Sequence, residues 1–212
     1  MILPRLQGIR CVLALGAHPD DIEIGCGGSI LRLLAEHEID LHWVVLSGEE
    51  PRAQEARRGA ETFGNQARSA RVTLREFPDA YFPGAFREIK AFFDELAREV
   101  APDLIFTHRR EDRHQDHRLV AELTWNTFRD HLILEYEIPK FEGDLGRPNL
   151  YMPLSRETCE AKVQALMDVY ESQRARSWFT EETFWGLLRL RGIETGSGGL
   201  YAEAFEASKI LL

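Results

Sequence analysis

Residues 11–36 read CVLALGAHPDDIEIGCGGSILRLLAE: an apolar run that breaks at a histidine, a proline and two adjacent aspartates, then resumes through glycines. The run at 11–17 is short and apolar throughout, the pattern of a strand buried on both faces. In GGSILRLLAEHE, Ile30, Leu31, Leu33 and Leu34 recur at helical spacing, so the stretch reads as strand, loop, helix. The glycines of GCGG are expected to let the backbone pack tightly beneath the polar turn. Taken alone, AHPDD also reads as a strand end with Asp21 capping a helix, since aspartate at a helix start is ordinary.

The same alternation repeats outward from this stretch. LHWVVLS (41–47), RVTLREF (71–77), DLIFTH (103–108) and LILEYEIP (132–139) read as further strands. Between them lie PRAQEARRGAETFG, with Pro51 in a first helical turn and Gly64 as a stop, FREIKAFFDELAREV (86–100) and HRLVAELTWNTFRDH (117–131), all helical. This order predicts a Rossmann-like α/β fold, a mostly parallel sheet with helices on both faces and a site at the C-terminal ends of the strands. After Pro139 the pattern loosens, resumes as a helix near SRETCEAKVQALMDVYES, and ends in LYAEAFEASKILL, a tail expected to close over one end of the sheet. With no repeat, low-complexity stretch or linker, residues 1–212 read as a single domain.

Composition narrows the function. The net charge of -9 and the lack of a dense Lys/Arg block argue against nucleic acid or an anionic membrane as partner. Cys11, Cys26 and Cys159 are scattered and odd in number, the usage of a reduced cytoplasmic protein. MILPRLQGIR lacks the apolar core of a signal peptide, and no apolar run spans a bilayer. A soluble cytoplasmic protein acting on a small molecule is expected.

His18 and Asp21 follow the first strand, and His114-Gln115-Asp116-His117 follows the fourth, so both clusters fall on one rim. Two histidines and a carboxylate from separate loops form an open facial set for a catalytic divalent ion, with His117 as the second histidine. Asp20 is then spare, and a carboxylate beside an ion-activated water is a natural general base. His114 is placed to hold a developing oxyanion or protonate a leaving amine, with Asp116 orienting it and keeping it charged. His108, closing the fourth strand, reads as a substrate contact, a support for the ligands, or equally a satisfied structural histidine. Asp112 reads as a solvated loop residue or as a hydrogen-bond partner for a ligating histidine. GCGG has neither the dinucleotide spacing nor a following Lys-Ser/Thr, which counts against a nicotinamide-dependent oxidoreductase. Cys26 reads as a buried thiol, and Trp178, Phe179, Phe184 and Trp185 as core rather than a sugar-stacking wall.

AHPDD with a Gly-Gly turn behind it, and HQDH about a hundred residues later, resembles the LmbE-like, or PIG-L-type, zinc-dependent deacetylases, from Val12 to about Val120. The resemblance implies removal of acetyl groups from N-acetylglucosamine-type sugars. It implies His18, Asp21 and His117 as metal ligands, Asp20 as general base and His114 as the oxyanion-assisting histidine. It also implies Arg52 in RAQE and Asp79 in FPDAYF as contacts to sugar hydroxyls, and assembly into trimers or hexamers. The metal is expected to be zinc, with ferrous iron also accepted by a His/Asp/His set. Gln115 stands where several relatives have proline, a departure expected to matter little. Tyr170 stands where relatives often have histidine. The alternatives are an amidase cleaving a larger sugar or thiol conjugate with the same site, and a noncatalytic carbohydrate-binding protein on the same fold.

Overall fold

A computed structural model describes residues 8–196 and 198–210; the first six residues read for a leader, together with Gln7, and the final two leucines of the tail lie outside them. The strands are β1 (Cys11–Gly16), β2 (Asp40–Val45), β3 (Ser69–Leu74), β4 (Leu104–His108), β5 (Leu132–Tyr136), β6 (Leu150–Leu154) and β7 (Tyr201–Glu206). They form one sheet of order β3-β2-β1-β4-β5-β7-β6. β1 to β5 run parallel, and β7 lies antiparallel between β5 and β6.

The helices are α1 (Asp21–Glu36), α2 (Arg52–Gly64), α3 (Phe86–Glu99), α4 (Gln115–Thr127), α5 (Arg156–Val169) and α6 (Glu181–Glu194). β1 shows why they divide into two layers. Its side chains alternate, Val12 and Ala14 toward the layer of α1, α2, α5 and α6, Leu13 and Leu15 toward α3 and α4. A strand covered on both sides has no polar face to show water, hence its unbroken apolar sequence.

From β1 the chain builds outward through β2 to β3, then crosses back to place β4 on the other side of β1. The crevice between the C-terminal ends of β1 and β4 is therefore where the strand order reverses, the usual ligand position in open α/β sheets. Both polar clusters of the sequence open into it.

Three expectations change. α1 begins at Asp21, directly after the turn at 17–20, so the glycines lie inside the helix. They are there because neighbours come close: a Cβ on Gly25 would stand 2.1 Å from the Tyr136 ring, and one on Gly27 2.6 Å from Phe63. The tail does not close over the sheet end; it enters the sheet as β7, with β6 and α6 completing that edge. Its pattern hid this because Glu203 points inward. There it accepts from the backbone N–H of Gly28 (2.8 Å) and Ser29 (2.6 Å) and pairs with buried Lys162. α4 starts two residues earlier than read, at Gln115, with His114 as its cap.

Phe179 and Phe184 are buried in the core with Trp178 and Trp185 packed against it, as expected. All three cysteines are free, and Cys26 donates to Ile22 O within α1. No helix among the described residues is long and apolar enough to cross a membrane.

Candidate active site

The turn from β1 into α1 is tight enough to force Asp20 to φ 97°, a left-handed conformation that non-glycine residues rarely hold. Such strain persists only where the surroundings over-determine it, and it concentrates at functional turns. The result is a split between neighbours. Asp21, the first residue of α1, turns its carboxylate back to accept from His18 N at 2.7 Å, while Asp20 makes no capping bond.

Across the crevice, the first turn of α4 brings His117 to this turn. His18 Nδ1 stands 3.1 Å from His117 Nε2 and 3.4 Å from Asp21 Oδ2, and His117 Nε2 stands 3.5 Å from Asp21 Oδ1. Donors that share one ion at about 2.1 Å sit about 3.0–3.4 Å apart, so the three side chains fit a single divalent cation. The remaining nitrogens fit as well. His117 Nδ1 lies 3.0 Å from Asp112 Oδ2, and His18 Nε2 lies 3.2 Å from Asp116 Oδ2 and 3.0 Å from Asp79 Oδ1. Metal-ligating histidines characteristically give their other N–H to a carboxylate. The donor atoms of His18, His114 and His117 also lie within 4.8 Å of one another, as do those of Asp21, His108 and His117.

Electrostatics separates the carboxylates. Burial pushes the Asp21 carboxyl up, but the charges of His117 and His108 and bonds from His108 and His18 outweigh it, holding the acid well below its ordinary range. Burial acts on Asp20 in the same sense, and although Arg52 opposes it, Asp21 and Glu23 add to it, so Asp20 is raised well above its ordinary value. Adjacent carboxylates are thus driven apart, one toward the ionised ligand and one toward the proton acceptor. For His18, burial lowers the pKa, yet the bonds to Asp116, Asp21 and Asp79 carry it well above normal. His117 is lowered to about 4, chiefly by burial, the neutral state a ligand needs. Burial also raises Asp112, but His117, then His108 and Lys140, more than offset it.

Arg52, at the start of α2, donates to Pro19 O at 2.7 Å, and its guanidinium lies 3.4 Å from Asp20 and 3.8 Å from Asp79. It therefore stands between the proposed base and an exposed carboxylate on the cleft wall. Two expected roles move, and the structure chooses between the readings of His108. The Asp116 carboxylate does not orient His114; its oxygens accept from Ala80 N and Phe82 N and face His18, because α4 starts early enough to aim them at that turn. His114 is not kept charged: burial and the His18 charge lower its pKa, and its Nδ1 accepts from Asp116 N. His108 does not reach the cleft. It is fully enclosed, stacked on His117 with ring centroids 3.9 Å apart, its Nε2 3.1 Å from Asp21. It backs the ligands from below.

Residues 13–128 match the PIG-L family, described as GlcNAc-PI de-N-acetylase. The chain belongs to the PIG-L family. Its relatives include the uncharacterized deacetylase YaiS of Escherichia coli (strain K12), 32% identical over 169 residues, 73% of this chain and 88% of that protein. Among solved structures, N,N'-diacetylchitobiose deacetylase from Pyrococcus horikoshii superposes with a TM-score of 0.70 at 18% identity, covering 95% of this chain and 84% of its own. GalB, the 4-carboxy-2-hydroxymuconate hydratase of Pseudomonas putida KT2440, superposes with a TM-score of 0.77 at 19% identity, covering 96% and 98%. At these identities the two structures share the fold. Membership of the PIG-L family makes this chain a hydrolase of the deacetylase kind, with a His/Asp cluster able to hold a metal.

Around this PIG-L site stand residues the sequence reading passed over. Glu23 is buried in α1, pushed up to about 7 by burial while the Tyr170 hydroxyl, which donates to it, acts the other way. Its signal was present in DIEIG, a carboxylate between isoleucines on a buried helix face. Tyr170 thus ties the end of α5 to α1. Glu55, the acid of RAQE, holds Ser172 by its N–H and hydroxyl rather than facing the cleft. Lys140 bonds Asp112 at 2.9 Å and Asp144 at 2.7 Å, and no pattern in its loop announced it.

Proposed function

We propose that this chain hydrolyses the N-acetyl amide of a GlcNAc-type amino sugar, free or conjugated, at a zinc ion held by His18, Asp21 and His117, and releases acetate and a free amine. One observation carries the reading. Two histidines face each other at 3.1 Å beside Asp21 while their far nitrogens rest on the buried carboxylates of Asp112 and Asp116. The bound ion would polarise the amide carbonyl and bring the pKa of a water toward about 7.

The chain's own residues do the rest. Asp20, buried and raised in pKa, takes the proton of the attacking water as the C–O bond forms at the carbonyl carbon. His114, half-buried at the cap of α4, faces the developing oxyanion. Return of the proton to nitrogen lets the C–N bond break, leaving carboxylate and amine. Arg52 and Asp79 line the wall where sugar hydroxyls would sit. The three free cysteines are in keeping with a cytoplasmic setting.

The test is a panel of N-acetylated sugars incubated with zinc-reconstituted protein, following acetate and primary amine together. Equal release of both from a GlcNAc-type sugar is expected; a bulky acid in place of acetate would favour the larger-conjugate amidase, and no amine from any member would sink the reading. Asp20→Ala should keep its zinc and lose about 10²–10⁴-fold in kcat. A wild-type rate in that variant would exclude Asp20 as the base.

A further inference from the structure

Gln115 and Asp116, between the two site histidines of HQDH, grip one and the same turn. Asp116 accepts from Ala80 N at 2.7 Å and from Phe82 N at 3.0 Å, and Gln115 Nε2 donates to Ala80 O at 2.9 Å. Both backbone polar groups of Ala80 are thus held by α4. Ala80 itself sits at φ 66°, a left-handed conformation that an alanine keeps only where its surroundings impose it.

That turn carries two residues into the site. Phe82 is buried and its ring stacks on His18 with centroids 5.9 Å apart. Asp79, one residue before Ala80, has one oxygen 3.0 Å from His18 Nε2 and the other 3.8 Å from Arg52 Nη1. Asp79 remains 60% exposed, so little packing holds it, and its reach to His18 and Arg52 depends on the turn beneath it. Asp116 bonds His18 as well as the turn, and a change there would disturb the metal site. Gln115 is free of that complication: it touches Ala80, and no hydrogen bond joins it to a ligating side chain. The departure that looked inconsequential because the side chain need not touch the metal is therefore placed to act on the substrate wall. A proline at this position has no amide with which to reach Ala80.

We propose that Gln115 is a positioning residue that, by holding Ala80 O, fixes Asp79 on the cleft wall where its carboxylate takes a substrate hydroxyl. This rests on the amino-sugar reading of the site. The test compares zinc-loaded wild type, Gln115→Ala, Asp79→Ala and the double variant on N-acetylglucosamine and N,N'-diacetylchitobiose, with zinc affinity by competition and hydrogen exchange at Ala80 and Phe82. Loss of one hydrogen bond predicts, for Gln115→Ala, a KM raised about 2–10-fold and turn amides exchanging faster by a similar factor. kcat should stay within about twofold and the zinc Kd should not move. In the Asp79→Ala background the KM effect should vanish, because neighbours acting through one contact are not additive. An unchanged KM and unchanged exchange would overturn the proposal, as would a full KM penalty in the double variant, or a loss confined to kcat or zinc. If wild type releases no amine from either sugar, the substrate reading fails separately, and exchange at Ala80 still decides whether Gln115 holds the turn.

Discussion

At the scale of the residue, the site works by giving neighbouring carboxylates different surroundings. Asp20 and Asp21 are adjacent and both buried, yet the turn at φ 97° sends one toward Arg52 and the other toward three histidines. The same logic governs Asp112, whose oxygens accept from His114 N at 2.8 Å and face His117 Nδ1 at 3.0 Å. It keeps His117 turned with Nε2 toward Asp21. Asp112→Asn should therefore weaken zinc binding about 10–100-fold with the three ligands intact, measured by chelator competition. The candidate ligands were legible as a cluster, since their residue types and their place after strand ends point to one rim, where the structure brings them together. The partners of Asp116 and His108 were not. A two-residue difference in where α4 begins decides what Asp116 faces, and nothing local in DLIFTH says that its histidine ends beneath the rim.

At the scale of the element, α1 carries its glycines for close approach rather than for turning. Gly25→Ala should destabilise the fold by about 1–3 kcal/mol in chemical denaturation, because the new methyl meets the Tyr136 ring. That sign opposes helix propensity, which favours alanine over glycine by about 1 kcal/mol. The edge strand β3 is held differently. Arg68 pairs bidentately with Asp40, and Ser69 Oγ donates to the same carboxylate at 2.6 Å. Arg68 first, then Ser69, pull the Asp40 carboxyl from 3.8 to about 2. Its pKa is lower folded than unfolded, so its contribution is present above pH about 4 and is lost as pH falls through about 2. Asp40→Asn should give a shallower fall in thermal stability across that window, followed by differential scanning fluorimetry.

At the scale of the whole molecule, the C-terminal third locks the helical layer that positions the β1 turn. β7 brings Glu203 onto the backbone of α1, and Lys162 of α5 donates both to Ile24 O at 2.6 Å and to Glu203 at 2.5 Å. Two buried charges and three backbone groups satisfy one another across three elements. Removing one partner leaves the other charged and buried, so Lys162→Met should cost about 3–5 kcal/mol in urea denaturation. A loss under about 1 kcal/mol would mean that the pair adds little to holding α1.

The sequence by itself determined the parallel α/β core, because strands buried on both faces are apolar throughout and helices between them show a period of 3.6. It also marked the candidate ligands and the spare carboxylate, since polar groups at the ends of the first and fourth strands, neighbours in the sheet, land on one rim. Only the tertiary structure decided that the tail is a strand, that Asp116 and Gln115 hold the turn bearing Asp79, and that Asp20 and Asp21 differ in proton affinity. Those outcomes depend on distances between segments far apart in the chain, and on how much water each group has lost. Periodicity carries neither. AHPDD marks where the charges are, and the fold decides which of them binds a proton more readily.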